Sequence, residues 1–317
     1  MRLPFARRTS LVFVCSITLL ALFGSSAQAA FPGKNGRIAF LRDGRVTTME
    51  ADGSSQRTLH WGDAPAWAPD GTKIAFSSFR SSGILVMGAD GSNMKTLAYG
   101  KQRDIRDPRW SPNGRQFVLN GFAFDVDDGS HDAWRIMFAN SDDGRITFVA
   151  PVPFPHKRMC CPTWSPRANR IAFVVENFHG HGHYSTEVFT MTPEGKDVRR
   201  LTHNREIDEI DPDWSPDGSQ LVYARSRRHG AGPIRSEVAV MGKNGHDVSV
   251  LTHTERDEGS AAFSPNGKRI VFSKCCYGES ETAEIFVMRT DGTHVVRLTH
   301  NEVYDSYPDW QPIPTDH

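Results

Sequence analysis

The sequence predicts an all-β protein, a six-bladed β-propeller in which every blade contains four strands. Three observations predict this fold: a motif around an aromatic residue recurs along the chain, a second motif around Met follows it, and the two chain ends complement each other. Repeats of about 40 to 50 residues with four strands each are typical of propellers, because each blade buries its faces only against neighbouring blades.

The first motif places an aromatic residue two positions before Pro and ahead of a tight turn. Its copies are PAWAPDGTKIAF, DPRWSPNGRQFVL, CPTWSPRANRIAF, DPDWSPDGSQLVY, AAFSPNGKRIVF and YPDWQP, with their aromatic residues at Trp67, Trp110, Trp164, Trp214, Phe263 and Trp310. Pro fixes φ, and Asp-Gly or Asn-Gly tolerates left-handed backbone, so the motif predicts a hairpin turn. Apolar residues then alternate, as at Ile74 and Phe76, with the two-residue period of a strand.

The second motif is a strand that ends at Met, followed four residues later by Gly and then by another strand. It reads ILVMGADG, VFTMTPEG, VAVMGKNG and IFVMRTDG in four of the repeats. Because Met fills irregular gaps in protein cores, its fixed position predicts packing rather than binding of a soft metal. The residues concerned are Met49, Met87, Met191, Met241 and Met288.

The two chain ends together complete a blade. NGRIAFLRDGRVTTMEADGSSQRTL near the start matches the second, third and fourth strands of a repeat, and YPDWQP near the end matches the missing first strand. We therefore expect the C-terminal strand to pair with the N-terminal blade and close the ring. Phe31 could compete for the place of Trp310, but the sequence around Trp310 fits the motif better.

The repeated [DN]-x-P-x-W-S-P-[DN]-G-x-x-I-x-F pattern, followed by V-M-x-x-D-G, resembles the six-bladed propeller of TolB and its relatives among cell-envelope proteins. The resemblance covers residues 31–312 and leaves residues 313–317 as a tail. It implies a propeller that works outside the cytoplasm. TolB has an α/β domain before its propeller, and some serine peptidases have a hydrolase domain after a similar one. We expect neither here, so the resemblance implies a propeller that acts alone.

Residues 1–29 have the pattern of a cleaved signal peptide. Arg2, Arg7 and Arg8 precede the apolar run LVFVCSITLLALF, and Ala27-Gln28-Ala29 has the small residues of a cleavage site. The run is short for a bilayer core of about 30 Å, which favours cleavage and no stable membrane span, although an uncleaved anchor and a twin-arginine route stay open. The sequence thus predicts a periplasmic or secreted protein.

Charge and cysteine content narrow the range of partners. Lys and Arg total 37, as do Asp and Glu, which argues against nucleic-acid binding. We expect a monomer whose partner is an envelope or extracellular protein or peptide. Export permits disulfides, but adjacent cysteines seldom bond to each other, so pairing between Cys160-Cys161 and Cys275-Cys276, or free thiols, remain open.

A candidate ligand site lies upstream of the motif aromatics. Counting back six and three residues from each aromatic gives positions near the start of each innermost strand, which should gather around one mouth of the central channel. A concave, mostly acidic surface focuses its field and could bind a cation or a basic peptide. The alternative is that these Asp residues only cap turns. The predicted mouth residues are Asp104, Asp107, Arg109, Arg158, Asp208, Asp211, Asp257 and Tyr304.

A candidate metal site is the segment FHGHGHY. His179, His181 and His183 alternate with Gly residues and could offer imidazoles to Zn²⁺, Cu²⁺ or Ni²⁺. A polar, flexible loop explains the same composition. The sequence requires no cofactor and leaves a divalent metal open.

Long inserts lie between the second and third strands of the predicted blades three to six. Insertions on one face of a repeat protein often mark its binding face. The sequence also contains no G-x-S-x-G, P-loop or dinucleotide-binding motif. It therefore predicts a module that binds a protein or envelope ligand, with a metal-assisted lyase or hydrolase that uses the His-rich loop as the alternative.

Overall fold

The protein is a six-bladed β-propeller. A computed structural model describes residues 30–78, 83–97, 103–123, 133–150, 157–178, 184–204, 206–227, 235–254, 256–276 and 282–315. These residues form 24 strands in six antiparallel sheets of four, and the described part of the chain has no helix. Accordingly, no described segment is a helix that could cross a membrane. The predicted signal peptide, residues 1–29, lies outside the described residues.

Each blade is a sheet whose first strand lies innermost and whose fourth lies outermost. Blade 1 consists of β24 (Asp305–Ile313), β1 (Lys34–Arg42), β2 (Arg45–Met49) and β3 (Arg57–Trp61). Blade 2 consists of β4 (Asp63–Trp67), β5 (Lys73–Ser77), β6 (Ile84–Gly88) and β7 (Lys95–Leu97). Blade 3 consists of β8 (Arg103–Trp110), β9 (Gln116–Ala123), β10 (Ala133–Asn140) and β11 (Ile146–Val149).

The other three blades repeat this order. Blade 4 consists of β12 (Met159–Trp164), β13 (Ile171–Phe178), β14 (Tyr184–Met191) and β15 (Arg199–Arg200). Blade 5 consists of β16 (Ile207–Trp214), β17 (Gln220–Arg227), β18 (Arg235–Gly242) and β19 (Ser249–Val250). Blade 6 consists of β20 (Glu258–Phe263), β21 (Arg269–Cys276), β22 (Thr282–Arg289) and β23 (Val296–Arg297).

The ring closes as the sequence predicts. Strand β24 pairs with β1, and Trp310 lies opposite Ile38, which confirms Trp310 rather than Phe31 as the aromatic residue of blade 1. Arg42 on β1 donates two hydrogen bonds to Asp305 on β24, from Nε to Oδ1 at 2.8 Å and from Nη2 to Oδ2 at 2.7 Å. Both chain ends therefore contribute to one sheet.

The core lies between the blades. Each motif aromatic is at most 4% exposed and each of the five Met residues at most 1%, so their predicted packing role is confirmed. The apolar clusters join neighbouring blades, as where Ile38 and Phe40 of blade 1 meet Val271 of blade 6. Blades therefore depend on each other for burial.

Candidate functional site

Every innermost strand contains a β-bulge three residues before its motif aromatic. The residue there has a left-handed backbone, with φ between +47° and +57°, and the pairing with the second strand shifts at the same place. A bulge bends the strand and redirects its side chains. The six bulge residues are Ala64, Asp107, Cys161, Asp211, Ser260 and Tyr307.

The innermost strands contact one another around the ring, and the residues at or beside their bulges form an electrostatic cluster on the inner side. We call this cluster the inner ring, and it contains two guanidinium and five carboxyl groups. Its ionisable members are Arg106, Arg109, Asp63, Asp107, Asp211, Asp213 and Asp309, and Tyr307 interacts with three of the acids.

Arg109 is the buried cation of the inner ring. It is 1% exposed, and its Nη1 donates a hydrogen bond to the Pro108 carbonyl at 2.9 Å. Its Nε and Nη2 have no hydrogen-bond partner among the described residues, nor does Oδ1 of the fully buried Asp213. Buried polar groups are nearly always satisfied by protein, water or an ion, so these atoms mark a place where the fold leaves hydrogen-bonding capacity unused.

Burial sets the protonation of the inner-ring acids. Desolvation, helped by the nearby Asp63 carboxylate, raises the pKa of Asp107 to about 7. Burial likewise raises the pKa of Asp309 to about 7 and holds the pKa values of Asp211 and Asp213 well above their ordinary range. Burial lowers the pKa of Arg109, while the surrounding carboxylates oppose that shift. The inner ring therefore changes its charge near neutral pH.

Two inner-ring acids also connect neighbouring blades. Oδ2 of Asp213 accepts a hydrogen bond from the backbone N–H of Phe263 at 3.0 Å, and Oδ2 of Asp309 accepts one from Trp67 at 2.5 Å. Each bond runs from one blade to the motif aromatic of the next. The sequence interpretation did not select these acids, although the repeated Pro-Asp-Trp at both positions was a usable signal.

Two of the acids six residues before the motif aromatics accept hydrogen bonds from the backbone of the preceding blade. Oδ1 of Asp208 accepts a hydrogen bond from the backbone N–H of Thr186 at 2.9 Å, and Oδ1 of Asp257 accepts one from Ser236 at 3.1 Å. In both cases the donor belongs to the third strand of the preceding blade. These bonds favour the interpretation that Asp208 and Asp257 stabilise strand ends.

The remaining predicted mouth residues differ in setting. The Arg158 side chain is 63% exposed, and its Nε lies 3.9 Å from Oε2 of Glu176. Tyr304 is 45% exposed, just before β24. The backbone of Asp104 belongs to β8, but its side chain lies outside the described residues. The structure thus brings Asp107, Arg109 and Asp211 together, and Tyr304 interacts electrostatically with this cluster through Asp63 and Tyr307.

Cys160 and Cys161 form a disulfide with each other at the bulge of β12. The expectation that adjacent cysteines avoid this bond is wrong here, since the bulge places Cys161 at φ +57° in a local geometry that no sequence rule anticipates. Cys275 is not in a disulfide, and its thiol hydrogen-bonds the Tyr304 hydroxyl. The side chain of Cys276 is outside the described part.

Within the described part of the chain, no group of three or more His, Cys, Asp or Glu side chains could hold a metal ion. His179, His181 and His183 lie outside the described residues. The metal-assisted alternative depends on those three residues, so it stays a prediction.

The fold and the charged inner ring define a propeller-type module. Residues 84–278, more than half of the chain, match the sequence model of the TolB beta propeller domain, and the chain belongs to this family. TolB from Acinetobacter baumannii has a similar structure, with a TM-score of 0.68 at 21% identity over 89% of this chain and 68% of that one. A putative TolB from Agrobacterium tumefaciens has a TM-score of 0.63 at 17% identity, over 88% of this chain and 99% of that one.

A shorter match relates the chain to a protein named as a peptidase. The uncharacterized peptidase YuxL of Bacillus subtilis is 25% identical over 119 residues, which are 35% of this chain and 17% of that protein. The chain thus spans less than a fifth of this curated relative.

Proposed function

We propose that this chain is an exported propeller that binds a protein, peptide or other envelope ligand where its central channel opens. The channel is expected to open at what we call the top face, the end of the ring at which every innermost strand begins. Because strands alternate in direction within a blade, the turns between second and third strands lie on the same face. Residues from all six blades can therefore contact one ligand there.

The observation that carries this proposal is the unused hydrogen-bonding capacity of Arg109 and Asp213 in the inner ring. A buried polar atom without a partner costs about 1 to 3 kcal/mol, so selection for stability alone would favour apolar groups there. A ligand or bound water would satisfy these atoms. The inner ring has five carboxyl groups and two guanidinium groups, those of Arg106 and Arg109. A basic group on a ligand favours the ionised form of nearby carboxyl groups, so the inner ring suits a ligand that has a basic group and also offers an acceptor to Arg109.

Affinity capture from an extract of the source organism's cell envelope tests the proposal, with purified wild-type protein and three variants as baits. Asp63→Asn and Asp211→Asn replace inner-ring carboxyl groups with amides, which cannot ionise but still form hydrogen bonds. Glu194→Lys reverses an exposed charge in the turn between β14 and β15, at the opposite end of the ring, and is the control.

We expect one or more proteins to bind the wild type and the Glu194→Lys variant and to bind the two inner-ring variants at least fivefold less. Circular dichroism confirms that each variant is folded. Equal capture by all four baits would contradict the proposal, because the retained proteins would then bind elsewhere.

A further inference from the structure

Two exposed aromatic side chains and one exposed Val lie on the top face of blade 1. Trp61 is 49% exposed, Val303 is 38% exposed and Tyr304 is 45% exposed. Trp61 ends β3 just before the innermost strand of blade 2, and the other two residues precede the innermost strand of blade 1. We call these three residues, together with Arg45, the aromatic rim. Among the described Trp residues, the five in the repeated motif are at most 4% exposed and Trp134 is partly buried, so Trp61 is the most exposed.

The aromatic rim is continuous across the turn between β1 and β2. The backbone N–H of Asp43 donates to the Tyr304 carbonyl at 3.1 Å on one side of this turn. On the other side, a Cβ added to Gly44 would lie 3.3 Å from Cζ3 of Trp61, and Gly62 N–H donates to the Gly44 carbonyl at 3.0 Å. Trp61 and Tyr304 therefore flank one short turn, within reach of the same bound segment.

The Trp61 ring is held in place before any partner binds. The Arg45 guanidinium carbon lies 4.1 Å from the centre of the indole ring, and Arg45 pairs with Trp61 across β2 and β3. A cation–π contact of this kind contributes about 0.5 to 1 kcal/mol at an exposed site. An ordered aromatic side chain loses little entropy on binding, and Trp, Tyr and Arg are the residues that most often dominate protein interfaces.

The charge around the rim is predominantly negative. Asp43 and Glu302 are exposed beside it. Tyr304 is also influenced by the carboxylates of Asp63 and Asp257, and burial of its hydroxyl together with the neighbouring Cys275 and these acids raises its pKa to about 12. Arg45 is the cation of the rim itself, and its guanidinium is occupied with the indole. An approaching surface with positive charge is therefore complementary to this one.

We propose that the aromatic rim anchors a partner protein through a basic segment, in which an apolar or aromatic side chain contacts Trp61 and Tyr304 next to a Lys or Arg. This inference rests on the proposed binding function and adds the position and chemistry of the contact. It also places the anchor on blade 1, where the turns are short, rather than on the long inserts of blades 3 to 6 that the sequence favours.

Selection from a phage-displayed random peptide library on the wild-type protein provides the probe. Enriched peptides are synthesised, and their affinities are measured by calorimetry. The measurements use the wild type, Trp61→Ala, and Met94→Ala as a control for loss of an exposed apolar side chain, since Met94 is 47% exposed in the turn between β6 and β7. Thermal unfolding confirms that both variants are folded.

We expect enriched peptides to contain Lys or Arg within three residues of an aromatic or large aliphatic residue. Their affinity should fall at least tenfold with Trp61→Ala or when the peptide Lys is changed to Glu, and should not change with Met94→Ala. Peptides that tolerate Trp61→Ala but lose affinity with Asp63→Asn would overturn the rim as an anchor and leave the proposed function standing. Enriched peptides that are acidic or uncharged but depend on Trp61 would overturn the proposal that the partner segment is basic. If no peptide binds, the result would count against both the rim proposal and the proposed function.

Discussion

Left-handed backbone recurs at one position of the turn in the repeated motif, where blade 4 differs from the others. Gly71, Gly114, Gly218 and Gly267 occupy this position with φ near +68°, whereas blade 4 has Ala168 at φ +56°. Glycine adopts this conformation without steric cost, but a residue with a Cβ does not. The backbone of blade 4 therefore carries a local strain that its neighbours avoid.

We expect Ala168→Gly to raise the free energy of unfolding by about 0.5 to 1 kcal/mol. Gly218→Ala, at the equivalent position of blade 5, should lower it by a similar amount. The nearest atom to a Cβ on Gly218 would be Cδ of Pro166 at 3.7 Å, so backbone conformation and not crowding decides the effect. Urea unfolding of both variants measures the two changes, and a loss of stability with Ala168→Gly would show that the strain is absent.

The inner-ring acids predict how stability depends on pH. Asp107 has a pKa of about 7 in the folded protein, so between about pH 4 and pH 7 it is protonated when folded and ionised when unfolded. The folded state then binds more protons, and the contribution of Asp107 to the free energy of unfolding falls as pH rises through this interval. Above about pH 7 that loss is complete.

In the Asp107→Asn variant the side chain is neutral at every pH, so the contribution of Asp107 to the pH dependence is lost. The fall in the free energy of unfolding between pH 5 and pH 8 should be about 2 kcal/mol smaller in this variant than in the wild type. Asp217→Asn is the control, because hydrogen bonds from Ser215 and Ser219 lower the pKa of Asp217, which therefore titrates below this interval. Urea unfolding at pH 5 and pH 8 measures this difference. If the free energy of unfolding falls as much in Asp107→Asn as in the wild type, the carboxyl group of Asp107 does not cause the pH dependence.

At the scale of elements, the strands were predictable and the inner ring was only partly so. The aromatic-x-Pro motif fixes the hairpin between first and second strands because each residue acts locally. The tasks of Asp208 and Asp213 depend instead on backbone N–H groups of a neighbouring blade, at Thr186 and Phe263, which no local pattern reveals. The six bulge residues share a left-handed backbone conformation, but their side chains differ as widely as those of Ala64 and Tyr307. A repeated residue type could therefore not identify the bulge positions in the sequence.

The ion pair between Arg42 and Asp305 helps to hold β1 against β24. The Asp305 side chain is fully buried, and the Arg42 side chain is 20% exposed. Arg42→Ala should lower the free energy of unfolding by about 3 kcal/mol, because it leaves a buried carboxylate without its cation. Arg37→Ala is a matched control, since Arg37 contacts Glu50 at 2.9 Å and both side chains are more than 40% exposed. We expect its effect to stay below about 0.5 kcal/mol. Similar losses in both variants would show that the buried pair does not stabilise the closure.

At the scale of the whole molecule, closure lets every blade bury both of its faces. Apolar contacts join blade 1 to blade 6 on one side, through Phe40 and Val271, and to blade 2 on the other, through Ala39 and Phe76. A ring whose blades each rely on two neighbours should unfold as one cooperative unit. Strand β24 is the element on which this depends, because it brings the last part of the chain to the first blade.

Deletion of residues 303–317 removes β24 and should lower the free energy of unfolding by more than about 5 kcal/mol. Loss of the buried Trp310 alone costs about 3 to 5 kcal/mol, and the deletion also removes the partner of Arg42 and the Asp309 bond to blade 2. Deletion of residues 315–317 is the control and should leave the unfolding curve unchanged, since Thr315 is exposed and follows the last strand. Differential scanning calorimetry compares the chains, with Trp310→Ala included in case the longer deletion does not fold. Wild-type stability of the Trp310→Ala variant would mean that the packing of Trp310 does not hold the closing strand in the ring.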